Sequence, residues 1–154
     1  MRSLAAVAVT AGALALTGAA GSTVVIGRSI GGVRLGMSQA AVRATLGRPI
    51  RILHASNEFG TYTEFRYRGY TVDFQSDTAV TSVSTTLKRE RTPSGAGVGS
   101  TLGQVRAKVP GVACEGPAAF RHCHVGKLLP GRKVTDFAFH EGVVQRVTVG
   151  VVLD

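Results

Sequence analysis

Apolar and polar residues alternate with a period of two through most of the chain. Over residues 61–68, Phe65 and Tyr67 fall on one side and Glu64, Arg66 and Arg68 on the other. Tyr70, Val72 and Phe74 then alternate with Thr71, Asp73 and Gln75, and a third run covers 80–86 after a Ser76-Asp77 turn. This period predicts antiparallel strands with one face on a core and the other in water. The second half follows the same plan, with strands expected at 120–125, 134–140 and 143–153 and a Glu141-Gly142 turn joining the last two.

The pattern repeats itself at an offset of 63 residues. Gly32, Gly36, Val42, Arg43 and Ala44 meet Gly95, Gly99, Val105, Arg106 and Ala107 identically, and Asp73-Phe74 meets Asp136-Phe137. Leu35 meets Val98, Ser38 meets Thr101, and Leu46 meets Val109; a one-residue slip then aligns Val80 and Val83 with Val144 and Val147. Ser38 and Thr101 suit helix N-caps, because a hydroxyl accepts from a free amide of the first turn. Gly36 and Gly99 just before them permit a sharp bend. Short helices are therefore predicted at 38–46 and 101–109, stopped by Gly47 with Pro49 and by Pro110-Gly111. Helices this short need a packing partner, and the strands supply one. Residues 88–97, charged and then rich in Pro, Ser and Gly, read as a linker. The expected architecture is α+β: two tandem repeats, each a short capped helix packed on an antiparallel β-meander, together forming one stacked sheet. The boundaries are 23–91 and 92–154, after a signal peptide at 1–22.

The signal peptide is read from Arg2, the apolar run at 4–16 and the small residues at 18–20. It places the protein outside the cytoplasm, where the two cysteines, Cys114 and Cys123, are expected to form a disulfide. The alternative is a zinc site of Cys114, Glu115, His122 and His124, with the two histidines on one side of a strand. Oxidation in an exported protein would remove the thiolates that such a site needs.

The formal charge of +9 favours an anionic or acidic partner. Its basic residues are scattered, Lys88, Arg89 and Arg91 being the tight cluster, and aromatics are 6% of the chain. Both features argue against a nucleic-acid stripe. The run Gly95-Ala96-Gly97-Val98-Gly99-Ser100 has the glycines of a phosphate loop without its Gly-Lys-Ser/Thr end, and helix punctuation accounts for them better. The one G-x-S-x-G run, Gly27 to Gly31, is not followed by a predicted helix start, as a nucleophile elbow would require. Glu58 and Glu64 are a weak carboxylate pair, and nine acids leave little for acid–base work. No enzyme activity, metal or cofactor is expected.

The segment G-V-R-L-G-M-S-Q-A-A-V-R-A-T-L-G-R-P from Gly32 to Pro49, with its shorter echo from Gly95 to Pro110, resembles the repeat unit of secreted β-lactamase inhibitor proteins. It also resembles the outer-membrane assembly lipoproteins of the SmpA/OmlA type. The resemblance implies a stacked sheet whose open face, opposite the helices, docks a partner protein. No individual inhibitory residue is carried over. On or near that face the alternation places Tyr62, Glu64, Arg66, Arg68, Asp73, Asp136, His140 and Arg146. The expected function is a secreted protein-binding module, its partner a secreted or envelope protein. The alternative is a basic envelope protein retained on anionic wall polymers.

Overall fold

The computed structural model describes residues 23–153; the stretch read as a signal peptide lies outside them. Three two-residue strands, β1 (Val24–Val25), β2 (Ser29–Ile30) and β3 (Val33–Arg34), make a small antiparallel sheet. Helix α1 (Gln39–Leu46) leads into the strands β4 (Arg51–Asn57), β5 (Gly60–Tyr67), β6 (Tyr70–Gln75) and β7 (Ser82–Thr85). Helix α2 (Leu102–Lys108) leads into β8 (Ala113–Glu115), β9 (His122–Val125), β10 (Lys133–His140) and β11 (Val143–Val151). The eight longer strands form one sheet in the order β4-β5-β6-β7-β11-β10-β9-β8. Each meander thus runs from an edge to the centre, where β7 and β11 pair antiparallel with Val83 opposite Val149 and Thr85 opposite Val147. The protein is α+β, as the alternation predicts.

Both helices begin at the expected hydroxyls. Ser38 Oγ accepts from the Ala41 amide at 3.2 Å. Thr101 goes further: its Oγ1 accepts from the Gln104 amide while Gln104 Oε1 accepts from the Thr101 amide, a closed capping box. Gly47, at φ +82°, ends α1 in a conformation that favours glycine. Helix approach is also alike on the two sides. The Gly36 amide bonds Val80 O at 2.8 Å, and the Gly99 amide bonds Val144 O at 2.7 Å.

One face of the large sheet holds the core. Phe65, Val72, Phe74, Val83, Phe137, Val147 and Val149 are fully buried there, and Val42 of α1 and Val105 of α2 pack onto it. The Arg43 guanidinium lies 4.4 Å from the centre of the Phe65 ring and closes one side. A bulge where β10 meets β11 skips Gln145, so Gln145 and Arg146 are both exposed while Val144 and Val147 both point inward. Strict alternation would have sent those two valines to opposite faces.

The structure departs from the sequence reading in several places. Residues 88–97 are not a linker: Glu90 and Ala96 are buried, and Arg91 bonds the carbonyls of Lys88, Gly95 and Val98 and the hydroxyl of Ser100. One planar guanidinium with five donors closes the turn on itself. The expected single sheet is accompanied by the small one formed by β1 to β3, whose strands are too short to show a period. Strand β4 has exposed residues on both sides and gives little alternation to read. Strand β9 starts two residues late because Pro117 opens a 3-10 turn at Ala118–Phe120.

The same segment reaches back to strand β6. Glu90 Oε1 accepts from the Tyr70 hydroxyl and, at 3.3 Å, from Arg89 Nε, while Oε2 is buried without a partner. Burial, and the Glu90 carboxylate beside it, push the Tyr70 hydroxyl above its ordinary value. Gly31 leaves room for this ring; a Cβ there would sit 2.8 Å from Tyr70 Cε1. Tyr70→Phe leaves a buried carboxylate short of a donor and is expected to cost about 1–3 kcal/mol. Urea unfolding of the variant checks this, and an unchanged midpoint would contradict it.

Candidate functional site

The candidate site is the face of the large sheet turned away from the core. The register sets Leu53, Glu64, Asp73 and Ser82 in one row across β4 to β7. A second row runs Arg66, Thr71, Ser84, Thr148, Asp136, His124 across β5 to β9. Along each strand these residues alternate with the buried ones, so they share the outer face. Tyr62, Glu64, Arg66, Asp73, Asp136, His140 and Arg146 all lie on it. Arg68 does not: it sits with Gly69 in the turn between β5 and β6, beyond the last paired residues Tyr67 and Tyr70. The period of two in the sequence runs one residue past the end of β5.

The face carries three separate groups. In the first, Tyr62, Glu64, Asp73, Gln75 and Ser82 line a shallow depression of about 270 Å³. Arg66 donates to Glu64, and Ser82 Oγ donates to Asp73 Oδ2 at 2.6 Å. Burial, aided by the neighbouring Glu64, raises the Asp73 carboxyl above the ordinary aspartate value, against the Ser82 hydrogen bond and Arg66. In the second, Arg146 faces Thr71, Ser84 and Thr86 across a smaller hollow. In the third, Asp136 Oδ2 lies 2.9 Å from His122 Nδ1, and His140 stands at the far end of β10 with its ring 5.7 Å from that of Phe120. Small hydroxyl residues separate the groups.

Cys114 and Cys123 are opposite each other on β8 and β9 and are joined as a disulfide. The zinc alternative is thereby overturned, since neither sulfur is a thiolate. His122 turns to Asp136, while Glu115 lies 3.9 Å from His124. Nor is the run Gly95 to Ser100 a phosphate cradle: the amides of Gly95, Ala96, Gly97, Gly99 and Ser100 all bond protein acceptors.

One polar chain escaped sequence reading. Thr63, buried on the core side, donates to Asp77 Oδ1 at 2.5 Å and lies 2.8 Å from His54 Nδ1. A hydroxyl has one proton, so His54 donates to it and carries its hydrogen on Nδ1. Asp77 reaches Thr63 because Ser76 and Asp77 both adopt φ +58°, and no sequence spacing announces that geometry. The hydroxyl is sealed from solvent, so the chain ties β4, β5 and the β6–β7 turn together rather than offering a nucleophile.

No family model matches the chain, and no curated protein matches it. Two solved structures share its fold. One is a DUF4309 family protein, YjgB, from Bacillus subtilis subsp. subtilis str. 168, at TM-score 0.52 and 14% identity, covering 81% of this chain and 88% of that one. The other is an extracellular protein containing an SCP domain from Bacillus anthracis str. Ames, at TM-score 0.51 and 10% identity. That match covers 76% of this chain and 44% of the longer one. At these identities the likeness concerns the fold.

Two measurements test the site. A raised carboxyl holds its proton in the folded state after the unfolded chain has lost it, so Asp73 withdraws stability as pH rises through that window. Asp73→Asn keeps an acceptor for Ser82 and should be more stable than the parent at pH 7. The advantage should shrink as pH falls toward the ordinary aspartate value and be gone below it; urea titrations across pH would refute this if it grew instead. Replacing both cysteines by serine should cost roughly 2–3 kcal/mol, the entropy released by opening a short loop. Hydrogen exchange should then show β8, the edge strand, fraying first.

Proposed function

We propose that the protein is an exported, non-enzymatic module that docks a partner protein on the outer face of its eight-stranded sheet. The observation that carries this reading is the spread of polar groups over a face that no described element covers. From Glu64 on β5 to Asp136 on β10 is four strand steps, about 19 Å at 4.8 Å each. A small substrate cannot touch both ends, whereas a protein surface can. Eight strands of this length present a plane of roughly 34 by 20 Å, near the ~800 Å² that one partner buries in an ordinary complex.

Export is supported by the disulfide, by the signal-peptide reading of residues 1–22 and by the extracellular description of one protein of similar fold. The proposal includes a tandem duplication. Ser38 and Thr101 cap corresponding helices, Gly36 and Gly99 bond Val80 and Val144, and the two meanders approach the centre from opposite edges. Ser29 and Thr92, 63 residues apart, are both buried polar residues just before these helix approaches. The likeness to secreted β-lactamase inhibitor proteins and to SmpA/OmlA-type lipoproteins is proposed at the level of this doubled plan. A second reading, retention on anionic wall polymers, draws on the +9 charge.

Ser84 and Thr148 are opposite each other at the middle of the face, outside the core. Ser84→Arg should abolish capture of the partner from an extracytoplasmic extract, while Arg106→Ala on the exposed side of α2 should leave it intact. Capture should survive 1 M salt, at which a polyelectrolyte contact is screened within about 3 Å. Binding indifferent to Ser84→Arg would refute the sheet-face reading, and release by salt alone would favour the polymer.

A further inference from the structure

At one end of the sheet, two exposed leucines lie in a loop flanked by cations. The loop between β9 and β10 reads Lys127-Leu128-Leu129-Pro130-Gly131-Arg132, and both leucines are 54% exposed. The loop is built rather than loose. The Arg132 amide bonds Leu129 O at 3.0 Å around Pro130 and Gly131, with Gly131 at φ +72°. Proline followed by a left-handed glycine is the signature of a type II turn, which holds the leucine and the arginine at its two ends. The Gly131 amide and Arg132 carbonyl then bond both polar backbone groups of Val152, fastening the loop to the chain beyond β11.

A second turn stands beside it. The Gly27 amide of the β1–β2 turn bonds Thr135 Oγ1 on β10 at 2.7 Å, which brings Gly27 next to Lys133. Lys133 is consequently shared by two adjoining depressions, one lined by Arg28 and Arg34 and the other by Lys127 and Arg132. Neither depression contains an acidic residue, and none of these five exposed cations is ion-paired with a described residue. Val25, 38% exposed, adds apolar surface in the neighbouring turn.

We propose that this end of the molecule docks on an anionic lipid surface, with Leu128 and Leu129 entering the headgroup–acyl boundary and the surrounding cations resting on lipid phosphates. A soluble polyanion would use the cations and leave the leucines in water. The pairing of an apolar tip with a basic collar is the arrangement that a charged bilayer rewards twice, by apolar burial and by surface potential. No described helix is long and apolar enough to cross a membrane. It lies at the strand ends and leaves the outer sheet face open for a protein.

The test uses the protein recovered from the medium of an exporting bacterium, sedimented with vesicles of phosphatidylglycerol and phosphatidylcholine or of phosphatidylcholine alone. The expected result is binding to the anionic vesicles only. Leu128→Ser/Leu129→Ser should weaken it at least tenfold, and Arg132→Ala/Lys133→Ala should weaken it and flatten its salt dependence. All four side chains are exposed, so the melting temperature should not move. Failure of the parent to bind anionic vesicles would overturn the proposal. So would a leucine variant that binds them as well as the parent does, or a parent that binds long-chain inorganic polyphosphate but not vesicles.

Discussion

Everything in this molecule hangs on the antiparallel pairing of β7 with β11. Neither four-stranded meander closes a core by itself, because each has a single short helix to cover its apolar side. When Val83 pairs with Val149 and Thr85 with Val147, the two sides become one continuous apolar surface that both helices and the small sheet cover together. The burial of Phe65, Phe74 and Phe137 beneath that cover offsets the ordering of so many turns. The same pairing leaves the opposite face continuous and open.

Polar groups inside this arrangement are used to hold irregular backbone. Arg91 gathers the carbonyls of a turn that has no regular ladder, and Glu90 carries its charge into the core to meet Tyr70 and Arg89. Thr63 does the same for the β6–β7 turn through Asp77 and His54. Buried polar groups of this kind favour one geometry over its alternatives, since each loses a partner if the turn shifts.

The two proposed contacts use different physics and different parts of the fold. The sheet face is broad, mostly uncharged at its centre, and suited to a surface of matching shape. The strand ends carry five exposed cations and a loop with two exposed leucines, and the reach of such a patch depends on ionic strength. A protein held at a lipid surface by its strand ends would present the sheet face sideways, to neighbours in or on the same membrane.

How much of this was legible beforehand follows from the range of the interactions involved. The alternation at 61–75 and 134–140, the helix caps at Ser38 and Thr101 and the cysteine pair are local or periodic features, and the chain alone determines them. So is the outward direction of Glu64, Asp73 and Asp136. Contacts between distant segments were decided only by the tertiary structure. Glu90 belongs to a stretch that reads as a charged linker, and only the fold buries it against Tyr70; Lys133 comes beside Arg28 and Arg34 only through the fold. The bulge at Gln145 and the left-handed Ser76-Asp77 turn belong there too. Their geometry answers to the packing of neighbours far away in the chain, and no period of two or 3.6 encodes that.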